Sequence, residues 1–96
     1  MRMFHLGGNI MCPCESIVGV FDLDTATVSR HTRDFLRRAQ EAGAVIAVGE
    51  DLPQSFVVTS VLADESHEKH VYLAPQSSAN LAKKLEIKMS GLRPPL

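Results

Sequence analysis

A continuous β-branched and aromatic run, Ser16-Ile17-Val18-Gly19-Val20-Phe21, is stopped by Asp22-Leu23-Asp24, residues that bond their own backbone in turns. The run predicts a central, buried strand. A few residues later the apolar period changes to that of a helix. From Val28 the apolar and small positions fall at Val28, Thr32, Phe35, Leu36, Ala39 and Ala42, one stripe with Phe35 and Leu36 as its core anchors. Thr25 or Thr27 is placed to cap the start of this helix, and Gly43 to supply the left-handed residue that ends it.

The flanking segments extend the pattern. Met3 to Leu6 and Ile10 to Met11 surround Gly7-Gly8-Asn9, which predicts an opening hairpin. Ala44 to Val48 and Ser55 to Val61 read as two strands joined by the loop Gly49-Glu50-Asp51-Leu52-Pro53, and a hairpin between them is expected. Ala63 to Lys69 is polar and reads as a turn before a last strand, His70 to Leu73, closed by Pro75. Ser77 or Ser78 is placed to cap a second helix with Leu81, Ala82, Leu85 and Met89 on its apolar side, ended by Gly91. The expected fold is α+β: a small, mostly antiparallel sheet of five to six strands, one helix inserted after the third strand and one C-terminal helix. At 96 residues the chain holds one domain, 1–91, with a flexible tail over 92–96.

Composition narrows the function classes. The formal net charge is −1, so any contact with DNA has to come from a local patch rather than from overall basicity. No apolar run approaches the roughly 18 residues of a membrane span, and Met1 to Gly8 is too short for the apolar region of a signal peptide, so a cytoplasmic protein without a membrane partner is expected. Cys12 and Cys14 flank Pro13 with a spacing unlike that of zinc knuckles or redox dithiols, which points to inert thiols.

No catalytic constellation emerges. Asp22 and Asp24 share a strand face, but their place before a helix fits termination and dipole compensation better than paired-carboxylate chemistry. In His67-Glu68-Lys69-His70 the histidines stand three apart in turn and strand sequence and point to opposite faces. His5 and His31 have no ligating partner in sequence, and Gly7-Gly8 lacks the rest of a phosphate loop. Neither an enzyme, a cofactor nor a metal is expected. The densest basic cluster is on the first helix: Arg30, Arg33 and Arg37 at i, i+3 and i+7, Arg38 beside them, with Asp34 and Glu41 on the same polar side. Such a row suits successive phosphates. Lys83, Lys84 and Lys88 of the second helix are its candidate supplement.

The order of these segments is also familiar. His5-Leu6-Gly7-Gly8-Asn9-Ile10, Ile17-Val18-Gly19-Val20-Phe21-Asp22-Leu23-Asp24, Thr32 with Phe35-Leu36, Ser55-Phe56-Val57-Val58-Thr59 and Val71-Tyr72-Leu73-Ala74-Pro75 running into Ser77-Ser78 resemble the RemA/RemB family of bacterial extracellular matrix regulators. The resemblance covers about Met3 to Lys84 and is nearest the RemB-like branch. It implies a cytoplasmic regulator that promotes transcription of biofilm-matrix genes and assembles with itself into rings that present basic residues to double-stranded DNA. This chain departs from the RemA-like pattern at three positions expected to be arginine, which are Glu15, Leu52 and Pro53. An acid, a leucine and a proline cannot hold phosphate as a guanidinium does. The alternative expectation is therefore a protein-interaction module of the same fold that no longer binds DNA directly, pairing with a basic relative of the family or with another regulator.

Overall fold

In the segment Ser55-Phe56-Val57-Val58-Thr59 every residue is buried, and this strand organises the molecule. The computed structural model describes residues 2–60 and 69–90. In chain order the strands are β1 (Met3–Gly7), β2 (Ile10–Pro13), β3 (Ile17–Asp22), β4 (Val45–Ala47), β5 (Ser55–Ser60) and β6 (Lys69–Ala74). The helices are α1 (Leu23–Ala26), α2 (Arg30–Glu41) and α3 (Ser78–Ser90). A single 3-10 turn, Cys14–Ser16, joins β2 to β3.

The architecture is α+β, but the strands form two sheets rather than one. β1 and β2 make an antiparallel hairpin, turned by Gly7 and Gly8 at φ 127° and 55°. The His5 ring donates from Nε2 to the Gly8 carbonyl across it at 2.9 Å. The other four strands lie in the order β3-β5-β6-β4. Two expectations are corrected by this order. β4 and β5 form no hairpin: β4 runs parallel to β6, while β5 pairs antiparallel with both β3 and β6. The loop after β4 carries the chain past β6 before it turns into β5. β3 is an edge strand and not the buried centre, with Val18 and Phe21 exposed.

Because side chains alternate across a strand, consecutive residues of β5 and β6 build two cores. Phe56, Val58 and Val71 face α1 and α2, against Leu23, Ala26, Phe35, Leu36 and Ala39. Val57 and Ala74 face the other way, toward the β1–β2 hairpin and α3, in a cluster with Phe4, Leu6, Cys12, Cys14, Val48 and Leu81. The four-stranded sheet is thus covered on one face by α2 and on the other by α3 and the hairpin. Buried hydroxyls are satisfied: Ser55 donates to the Gln76 carbonyl at 2.8 Å and Ser16 to the Pro13 carbonyl at 2.7 Å.

Two helices follow β3 where one was expected. Asp22 caps α1 by accepting from the Thr25 backbone N–H at 2.9 Å, and the chain leaves helical geometry at Thr27 to Ser29 before α2 begins. Neither Thr25 nor Thr27 caps α2. Its N-cap is Ser29, which makes no side-chain cap bond, and both ends of the expected stripe, Val28 at 78% exposed and Ala42, lie outside the core. Gly43, at φ 71°, does end α2: Gly43 donates to the Gln40 carbonyl and Ala44 to the Ala39 carbonyl, the paired bonds of a Schellman stop. Ser77 caps α3 through the Asn80 N–H at 3.2 Å. The far end of α3 is tied to the N-terminal segment, since Arg2 Nη1 donates to the carbonyls of Lys88 and Met89 at 2.7 and 2.6 Å, a cation on the negative end of the helix dipole. On α3, Leu81 and Leu85 pack inward but Ala82 and Met89 are exposed, contrary to their place in the expected stripe. Val61, the expected turn from Ala63 up to Glu68, Gly91 and the tail 92–96 lie outside the described residues, and Lys69, expected to end that turn, opens β6.

The Asp22 cap carries a pH signature. Hydrogen bonding from the Thr25 N–H holds the Asp22 carboxyl below the ordinary carboxylate range. Its contribution to stability is therefore present above the unfolded-chain value of about 3.9 and lost as pH falls through the lowered folded value. Asp22→Asn, which preserves a cap but cannot titrate, is expected to lose less stability than the parent between about pH 5 and pH 2. Urea midpoints of the two proteins across that range check it, and parallel acid curves would contradict the assignment.

Candidate nucleic-acid interface

α2 places its arginines on the side away from Phe35, Leu36 and Ala39, which are committed to the sheet. Arg30, Arg33, Arg37 and Arg38 are all exposed, as the i, i+3, i+7 spacing requires. Asp34 sits among them, 3.9 Å from Arg30 Nε and 3.5 Å from an Arg37 nitrogen. The Arg30 and Arg37 side chains remain 86% and 67% exposed, so these ion pairs are solvent-screened and each is worth about 0–1 kcal/mol. A phosphate can replace the carboxylate at small cost.

The four arginines are not equivalent. Arg33 Nη1 donates to the carbonyls of Thr27 and Val28 at 3.0 and 3.1 Å, fastening the break between α1 and α2. Arg38 Nε reaches back to the Asp34 carbonyl at 3.4 Å, a weak contact. Arg30 and Arg37 are the pair best free to turn toward a ligand, and Arg33 is partly structural. Sequence spacing alone could not separate them, because the Arg33 contact depends on a helix break that the apolar stripe runs across.

The lysines fall elsewhere. Lys83, Lys84 and Lys88 are exposed on α3, across the four-stranded sheet from α2, so one subunit does not bring the two basic groups together. Lys84 Nζ donates to Gln76 Oε1 at 2.8 Å, next to the helix start. Of the positions that carry an acid, a leucine and a proline, Glu15 is exposed on the 3-10 turn, and Leu52 and Pro53 lie in the loop before β5 with Leu52 86% exposed.

Sequence reading missed an apolar groove between β3 and α2. It has a volume of about 320 Å³ and is lined by Val18, Phe21, Phe35, Phe56 and Val58, with His31, Thr32 and Lys69 completing the lining. A β-bulge between Ile17 and Gly19 swings Val18 onto the face occupied by Phe21. Phe21 stacks on Phe56, ring centroids 5.1 Å apart, and its ring folds back over Gly19, where a Cβ would lie 2.6 Å from the ring. Exposed Val18 and Phe21 in a run read as buried were the available signal.

Cys12 and Cys14 are free and buried, and burial pushes the Cys12 thiol above its ordinary value, which disfavours the reactive thiolate. Among the described residues no three His, Cys, Asp or Glu side chains converge as metal ligands, and no helix is long and apolar enough to cross a membrane. No protein-family model matches the chain, and no curated protein shows significant similarity to it.

Proposed function

We propose that the chain is a non-enzymatic, self-assembling cytoplasmic regulator of biofilm and extracellular-matrix gene expression, of the RemA/RemB type, that grips the DNA backbone through α2. The observation that carries this reading is the exposed row Arg30, Arg33, Arg37 with Arg38, on a helix whose opposite side is fixed to the sheet. A rigid element with guanidinium groups one turn apart positions phosphate contacts without reading bases. Assembly multiplies a patch that is weak in one copy, and it lets Lys83, Lys84 and Lys88 of one subunit stand near the arginines of another. Titration of a labelled mixed-sequence duplex at several salt concentrations tests it. Affinity that falls steeply with salt and ignores sequence is expected, whereas absence of binding at low salt would refute the DNA arm.

Exposed Glu15 and the acidic loop Glu50-Asp51 beside exposed Leu52 favour a second reading, an interaction module for a basic relative of the same family or another regulator. A pull-down from lysate that recovers no protein partner would count against it.

A further inference from the structure

We infer that copies of this chain join head to tail, with Leu52 of one copy seated in the β3–α2 groove of the next. The inference rests on the self-assembly proposed above and specifies its contact surface. Two features of the same molecule complement each other. One is a cleft lined by Val18, Phe21, Phe35, Phe56 and Val58, in which Val18 is 59% and Phe21 41% exposed, with Lys69 at its edge. The other is Leu52, 86% exposed, in a loop whose preceding residues are Glu50 and Asp51. The cleft is apolar with a cationic rim, and the loop is an apolar knob with an anionic flank.

A copy does not fill its own groove with its own knob, since Leu52 is 86% exposed and is not among the residues that line the groove. The loop is anchored at the end of the sheet where β5 begins, through Gln54 N–H to the Ala74 carbonyl at 2.9 Å and Leu23 N–H to the Gln54 carbonyl at 3.0 Å. The groove lies on the α2 face and runs from the Phe21–Phe56 pair near that end to the Gly19–Val58 and Lys69–Ser60 pairs. A knob and a cleft that are different parts of one surface define a heterologous contact, which repeats from copy to copy and closes into a ring when the rotation per subunit permits. It also covers the free edge of β3, which is otherwise a template for uncontrolled strand pairing. Glu50 and Asp51 then lie near Lys69, so the charges favour this docking and disfavour two knobs or two grooves meeting.

The test is a complementation of two surface variants, Leu52→Asp and Val18→Asp, measured by light scattering alone and as an equimolar mixture. Both positions are exposed, and far-UV circular dichroism confirms that each variant is folded. Wild type is expected as a multi-subunit assembly, and each variant alone as a monomer, the loss of a central apolar anchor weakening the contact at least about thirtyfold. The mixture is expected as a heterodimer, because Leu52→Asp keeps an intact groove and Val18→Asp an intact knob. Assembled wild type with Leu52→Asp still assembled would overturn the knob-in-groove contact and leave self-assembly standing. Two monomeric variants that stay monomeric when mixed would overturn the head-to-tail arrangement. A monomeric wild type would overturn both this contact and the assembly on which it rests.

Discussion

Phe56→Ala is expected to destabilise the protein by about 3–5 kcal/mol, among the largest effects available to a single truncation. Phe56 is 2% exposed and stacks on Phe21, and the cluster it forms with Val58 and Val71 is what α1 and α2 pack against. Removing the ring opens a cavity at the junction of three elements and takes away the surface that holds Leu36 and Phe35. A chain of 96 residues has a total stability of about 5–14 kcal/mol at the usual 0.05–0.15 kcal/mol per residue, so the loss is a large share of the whole. Urea unfolding measures it. A shifted midpoint with an unchanged slope is expected, and a cost below about 1 kcal/mol would mean that α2 is not docked through this cluster. Phe35→Ala and Phe56→Ala should also fail to add, because the two rings share one environment.

The second large effect concerns DNA. Arg30→Ala combined with Arg37→Ala is expected to weaken binding to a mixed-sequence duplex by at least about tenfold at low salt and to flatten the slope of log affinity against log salt by about 2 per engaged subunit. These two are the right pair because their side-chain contacts are solvent-screened pairs with Asp34, whereas loss of Arg33 would also release the Thr27–Val28 break. Asp34→Ala is the converse, removing a competing carboxylate, and should raise affinity severalfold. An arginine double variant that binds as wild type does, or an Asp34 variant that binds no better, would place the DNA contact elsewhere.

Local chemistry announced itself well in this sequence, and long-range pairing did not. The stop at Gly43, the cap at Ser77 and the Gly7-Gly8 turn each depend on a few neighbouring residues whose physics is complete within the segment, and each stands where its residues predict. The partner of β4 depends instead on which strand edge remains free after β5 and β6 have paired, and Val45-Ile46-Ala47 carries no mark of a parallel neighbour. β3 misled for a related reason. A continuous apolar run is equally the signature of a buried strand and of an edge strand that presents Val18 and Phe21 to an open groove. The break between α1 and α2 was hidden because Asp22 can cap a helix that starts at once, while the apolar stripe from Val28 suggests a later one. Within the basic cluster, spacing correctly placed four arginines on one helix. It could not show that Arg33 spends its guanidinium on backbone carbonyls, or that α3 sets its lysines across the sheet.

We propose that this chain assembles and that the assembly binds DNA through its backbone. The most direct measurement is the absolute mass in solution by light scattering, with the protein alone and with a mixed-sequence duplex at low and moderate salt. A mass of several subunits that gains the duplex at low salt and releases it at moderate salt is expected. A monomer, or an assembly that ignores DNA at both salt concentrations, would contradict it.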